Sequence, residues 1–163
     1  MVAAPAFCGW LEQSPVGAAV RQSLWLFPAI ETAHLLGMTV LVGTVAAFDL
    51  RLLGWALQRT RFSDLIRQLL PWTWVGFGLQ VATGALLFSS EAAKMYVNPA
   101  FRLKMLLICL AGAQAFIFQL AAGRKLAGWD ERAPVPLAAR IGGLISMLLW
   151  IGVVAAGRWI GFI

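Results

Sequence analysis

The sequence contains one histidine, His34. It lies three residues after Glu31 and four before Met38, in a run from Trp25 to Phe48 that reads WLFPAIETAHLLGMTVLVGTVAAF. Spacings of three and four put side chains on one face of a helix, so these residues form a stripe of carboxylate, imidazole and thioether. A neutral imidazole can ligate haem iron or copper, or pass a proton. A carboxylate one turn away can accept the other ring N–H and fix the tautomer. The plain alternative is a buried histidine hydrogen-bonded to a neighbouring helix. The run exceeds the roughly 20 apolar residues that a bilayer core requires, and ionisable groups at such depth usually face other helices or a cavity. At about 1.5 Å rise per residue His34 lies roughly 13 Å below Trp25, close to the midplane.

With one imidazole, bis-histidine haem within a single chain is impossible. A b-type haem on His34 would be five-coordinate, shared between two copies, or completed by Met105 or Met147. Arg102, Lys104 and Arg158, all near the outer face, are the candidates to neutralise its propionates, with Glu31 as the group orienting His34. Lys104 is also a candidate ion-pair partner for Glu31. The ordinary roles of these residues are core packing for methionine, snorkelling for lysine and juxtamembrane charge for the rest. Copper is the alternative cofactor, on His34, Met38 and Cys109 with Cys8 and Met95 at the outer entrance, although the soft ligands form no CxxC or MxxM cluster. A single Glu31-x-x-His34 does not make a di-iron site. No GxSxG, P-loop or zinc-protease motif occurs, and Asp49, Asp64, Asp130 and Glu131 read as exposed in loops, which sets aside hydrolytic and phosphoryl chemistry.

The elements that position these residues are membrane helices. Hydrophobic residues make up 61% of the 163-residue chain and charged residues 12%, with a mean hydropathy of +0.81; soluble domains carry about 25% charged residues. The fold class expected is an all-α integral membrane four-helix bundle, one domain over 1–163 with spans at about 25–48, 71–89, 102–122 and 141–159. Residues 1–24 read as an interfacial segment, in which Ser14 and Pro15 mark a helix start. A short amphipathic helix is expected around Leu65–Leu70 before Pro71 opens the second span, and Asn98–Pro99 reads as a turn. Trp10, Trp25, Trp55, Trp72, Trp129 and Trp159 fall near span ends, where aromatic belts sit.

The formal charge of +6 follows from basic loops and not from a nucleic-acid surface. Arg51, Arg59, Arg61 and Arg67 in the first loop and Arg124, Lys125, Arg132 and Arg140 in the third outnumber Arg21, Lys94, Arg102, Lys104 and Arg158 on the other side. That bias places both termini on the periplasmic side of a bacterial inner membrane. The partners expected are the lipid bilayer and either a second copy or the other subunits of a membrane complex. Gly157-x-x-x-Gly161 is a weak dimerisation signal.

WLFPAIETAHLLGMTVLVGTVAAFDLRLLG and LLPWTWVGFGLQVATGALLFSSEAAKMYVNPAFRLKMLLICLAGAQAFIF resemble a family of small bacterial membrane proteins recorded as a domain of unknown function, over about residues 22–122. The resemblance implies four membrane helices. More distantly, His34…Gly43…Arg51-Leu52 is similar to the first helix of HemJ-type protoporphyrinogen oxidases, and Lys104-x-x-Leu107 is similar to both these and the CopD copper-resistance proteins. The HemJ likeness implies b-type haem at His34. Three functions are therefore in view: haem-based electron transfer or membrane redox chemistry, copper or small-solute binding or transport, and a non-catalytic structural subunit.

Overall fold

The computed structural model describes the backbone of residues 4–125 and 135–162, with side chains described outside 121–125. Trp129, Asp130, Glu131, Arg132 and Pro134 of the third loop lie outside the described residues. Among the described residues there are seven α-helices and no strand. They are α1 (Ala6–Gln13), α2 (Pro15–Gln22), α3 (Leu26–Leu53), α4 (Phe62–Ser90), α5 (Ala92–Val97), α6 (Pro99–Lys125) and α7 (Leu137–Trp159). A 3-10 turn, Ile160–Phe162, follows.

Three helical stretches are long and apolar enough to cross a membrane: Leu26–Leu53, Pro99–Leu120 and Leu137–Phe162. This is a membrane protein by that measure. The fourth long helix, α4, is not among them, because Gln80, Thr83 and several glycines dilute its apolar run. The four-span expectation is thus met for three helices. A further difference lies at Pro71, which is inside α4 and does not start the helix. The amphipathic stretch around Leu65–Leu70 is the first part of that same helix, although the proline ring removes one intrahelical hydrogen bond. Asp64 is consequently in the first turn of α4, where its carboxylate is 3.8 Å from Arg67, and not in an open loop.

Local sequence explains the helix ends. Ser14 accepts from the Gly17 N–H at 3.1 Å, with Pro15 in the first helical position of α2. Asn98 caps α6 through Ala100 and Phe101 N–H groups at 2.9 and 3.2 Å, again ahead of a proline. Short polar side chains satisfy donors that the first turn leaves orphaned. Gly54 ends α3 in the left-handed region, φ 75, a conformation that other residues enter only with strain. The N-terminal helices are tied to the protein and not only to headgroups: Glu12 accepts from the Ala93 N–H at 2.9 Å, and Arg21 donates to the Ser90 carbonyl at 3.3 Å.

α3 is the central helix, packed against α4 on one side and α7 on another, and α6 lies along α7. In hydrocarbon, helix association relies on close van der Waals contact and interhelical hydrogen bonds, since lipid is as apolar as leucine. Both devices occur here. Gly76 of α4 lies against the α3 backbone, Thr73 donates to Thr44 at 2.9 Å, and Gln114 of α6 donates to the Gly142 carbonyl of α7 at 3.1 Å. The large apolar side chains Leu35, Leu36, Leu106, Phe116, Ile117, Leu148 and Ile151 are exposed on the outside, as helices immersed in lipid require. Trp10, Trp25, Trp55, Trp72 and Trp159 are exposed as well.

The α3–α4 contact provides a test. A Cβ on Gly76 would stand 2.8 Å from the Leu41 nitrogen and 3.1 Å from the Gly37 carbonyl oxygen, whereas at Gly78 nothing lies within 4 Å. Gly76→Ala is expected to destabilise the protein by about 1–3 kcal/mol, read as earlier unfolding in a detergent titration. Gly78→Ala should unfold with the wild type, and equal behaviour of the two variants would refute this packing.

Candidate functional site

His34 is eight residues into α3, at a helical depth of about 12 Å. Its ring is half-buried and is contacted from α4 and α6. On the α4 side, Nδ1 is 2.8 Å from Thr83 Oγ1, and Gln80 donates to the His34 carbonyl at 2.6 Å. Gly84 leaves room for the ring, for a Cβ there would be 3.3 Å from His34 Cε1. On the α6 side, Lys104 Nζ is 3.5 Å from Nε2. The lysine stem runs along Gly157 of α7, where a Cβ would meet its Cδ and Cε at 3.6 Å. Gly157 thus faces Lys104 within the chain, whereas Gly161 is exposed.

With Lys104 as an ammonium, these contacts select one tautomer. An ammonium only donates, so Nε2 accepts from Lys104. Nδ1 then carries the ring proton and donates to Thr83 Oγ1. The threonine hydroxyl passes its own hydrogen to the Leu79 carbonyl, 2.5 Å away. The His34 Nδ1–H and the Thr83 O–H each meet an acceptor, and one N–H of Lys104 meets Nε2. Such satisfaction matters most where water is scarce, since an unmatched polar group costs about 1–3 kcal/mol.

The orienting group is therefore Thr83 and not Glu31. Three residues of helix turn through about 300°, leaving Glu31 some 60° away from the His34 direction, and its side chain is exposed. Among the described residues no ion pair joins Glu31 to Lys104. Met38 is half-buried on α3, one turn past His34. Met105 is 40% exposed, turned away from the helix face that carries Lys104. Met147 is ten residues from Gly157, about 15 Å along α7, so it cannot join His34. Arg102 is exposed beside Leu103 and Leu106, and the Arg158 guanidinium stacks over Phe162 at 5.3 Å. Cys109 is exposed and Cys8 buried, both as free thiols. Among the described residues no cluster of three or more His, Cys, Asp or Glu could hold a metal. Of the residues singled out in the sequence, the fold brings together His34 and Lys104.

The family model that matches residues 7–163 describes a family of unknown function, DUF6644. The chain belongs to DUF6644. Neither the curated proteins nor the solved structures contain a match, and nothing found ties this DUF6644 chain to the HemJ or CopD groups.

Thr83 and Gln80 are not among the candidate site residues of the sequence, yet both contact His34. The available signal was their spacing with Gly76 and Gly84, which puts donors and small residues on one face of α4. The sequence reads Asp49 as exposed in a loop. The structure buries it in α3, 4% exposed, because the helix continues to Leu53 and carries it against α7. Arg51 is likewise buried, donating from Nε to the Thr60 carbonyl at 3.1 Å.

Since this is the one histidine of the chain, its ring nitrogens can be read directly. Nitrogen-15 NMR of labelled protein is expected to show a protonated Nδ1 and a bare Nε2. Thr83→Val should abolish that preference and destabilise the protein by about 1–3 kcal/mol. A protonated Nε2 in the wild type contradicts the arrangement.

Proposed function

We propose that this protein is a four-span inner-membrane protein whose working centre is a proton-exchanging pair, His34 and Lys104, serving membrane redox chemistry or proton-linked transport. The observation that carries the reading is the Lys104 ammonium directed at the His34 Nε2 lone pair at 3.5 Å, with the opposite nitrogen anchored by Thr83. Transfer of one proton from Nζ to Nε2 leaves a neutral amine and an imidazolium. The pair keeps its total charge, so the step creates no new charge inside a poorly polarisable surrounding. The Lys104 side chain has the reach to carry the proton outward along Gly157, because its ammonium sits on a flexible four-carbon stem.

α4 is assigned as the remaining span because its 29 residues are ample for a ~30 Å core and it packs along α3. The basic first and third loops place both termini on the periplasmic side. The exposed apolar faces of α6 and α7 suit lipid, a second copy or neighbouring subunits.

Haem b is less well accommodated. Nδ1–H held by an acceptor is what a metal-bound histidine needs. A metal bound about 2 Å from Nε2, however, would have to stand where Lys104 now approaches, and neither Met105 nor Met147 supplies an opposite ligand. Copper meets the same obstruction at Nε2, with Cys109 exposed.

The test is proton flux into vesicles that hold a trapped pH-sensitive dye. Vesicles with the wild-type protein are expected to dissipate an imposed proton gradient faster than empty ones, with His34→Ala and Lys104→Met each slowing the rate by roughly tenfold or more. Wild-type vesicles no faster than empty ones would reduce the cluster to a packing device. A Soret band in the purified protein that vanishes in His34→Ala would replace the proposal with axial haem ligation.

A further inference from the structure

The way from the His34–Lys104 centre to water is short at the end of the bundle where α4 stops and α6 begins. His34 stands eight residues from the start of α3 and nineteen from its end at Leu53, so the opposite route follows about 28 Å of helix. Over the short route lies an aromatic pair. Phe88 of α4 and Phe101 of α6 stack with ring centroids 5.4 Å apart and planes 14° from parallel. Gln80, Gly84 and Phe88 follow one another at spacings of four, which is one face of α4. The first two of these already lie against His34, and Phe88 is one turn outward of them. Phe101 precedes Lys104 by three residues, one turn outward on α6.

Among the described residues α4 and α6 do not pack along their lengths, so the phenyl stack bridges the seam between them on the outward side of the imidazole. On the α7 side the same end is tied by Asn98, whose Nδ2 donates to the Ile160 carbonyl at 3.2 Å. A phenyl ring has no N–H, O–H or lone pair with which to pass a proton, and apolar constrictions in membrane proteins gate by shedding water. Both rings are only half-buried, so each borders space free of protein into which it can turn. Side-chain rotations are faster than the collective motions of helices. Opening the seam therefore needs no movement of α4 or α6.

We infer that Phe88 and Phe101 are an aromatic gate on the His34–Lys104 centre. Stacked, they close it to water on the side where α4 and α6 end and begin; turned apart, they admit water to the imidazole and the ammonium. The stack joins two helices that otherwise meet only through the centre itself, so its opening and the solvation of the pair are one event. The gate regulates the proton-exchanging pair and rests on that reading for its purpose, but water access to the ring is measurable without any transport.

The experiment is exchange of the His34 ring N–H with water, read by nitrogen-15 NMR on protein in lipid nanodiscs at one fixed pH. Exchange in the wild type is expected to be slow. Phe88→Ala and Phe101→Ala should each speed it by roughly tenfold, the factor that loss of an aromatic pair produces in an opening equilibrium. Phe101→Trp keeps an aromatic face for Phe88 and should stay slow. Phe116→Ala removes a ring of the same kind from the outside of α6, where it is 63% exposed, and should exchange like the wild type. Phe88→Leu keeps an apolar side chain of similar bulk and replaces the alanine variant if that one does not fold; it too should exchange faster. Wild-type exchange in the Phe88 and Phe101 variants overturns the inference, as does equal acceleration by Phe116→Ala. Faster exchange in the gate variants, with no proton flux through the wild type, supports the gate and removes the transport reading. Flux through the wild type with unchanged exchange in the variants removes the gate and leaves the pair.

Discussion

An imidazole among membrane helices must find partners for both ring nitrogens, because no bulk water is there to supply them. This requirement organises the molecule. Thr83 serves one nitrogen from α4 and Lys104 serves the other from α6, so His34 holds two helices that are far apart in sequence. Gly84 and Gly157 make the approach possible. A larger residue at either position would push a wall into the ring or the lysine stem. Individual hydrogen bonds of this kind contribute only about 0.6 kcal/mol on average in membrane proteins. Their effect here is to specify register. A shift of one residue along α4 turns Thr83 away by about 100° and leaves Nδ1–H without an acceptor.

The helices were legible because hydrocarbon demands long apolar runs, and a proline or glycine at their ends leaves a local mark. Ser14, Pro15, Asn98 and Pro99 act where their chemistry puts them. Pro71 was misleading for a physical reason. A proline disrupts one hydrogen bond, and a helix already supported by packing on α3 can continue through it. Boundaries at residues of mixed character, such as Asp49, Arg51 and Asp64, depend on where a helix stops, and Gly54 decides that for α3. The stretch before it therefore stays helical and its charges are carried inward.

The site was half legible for a related reason. Helical spacing places Glu31, His34 and Met38 within one broad face, but a face of about 100° does not say which residue meets which neighbour. Rotation of α3 is set by its contacts with α4 and α7, and those depend on Gly37, Gly76 and Gly143. Their small size was visible in the sequence; the partners that would fill the space were not. Lys104 emerged because a cation one turn into an apolar helix needs an explanation. Snorkelling would have taken it out to the headgroups. The flat surface of Gly157 guides it inward to His34 instead.

The choice of a lysine, and not of Glu31, as the neighbour of Nε2 has consequences for the chemistry of the pair. A carboxylate would neutralise the imidazolium and form an ion pair that holds its proton. An ammonium brings a second positive charge whenever the ring is protonated, so the two nitrogens cannot comfortably hold a full complement of protons together. The ring is fixed by Thr83, while the ammonium sits at the end of a flexible stem. The two partners of the ring thus differ in kind: a hydroxyl held to the α4 backbone on one side and a side chain laid along Gly157 of α7 on the other.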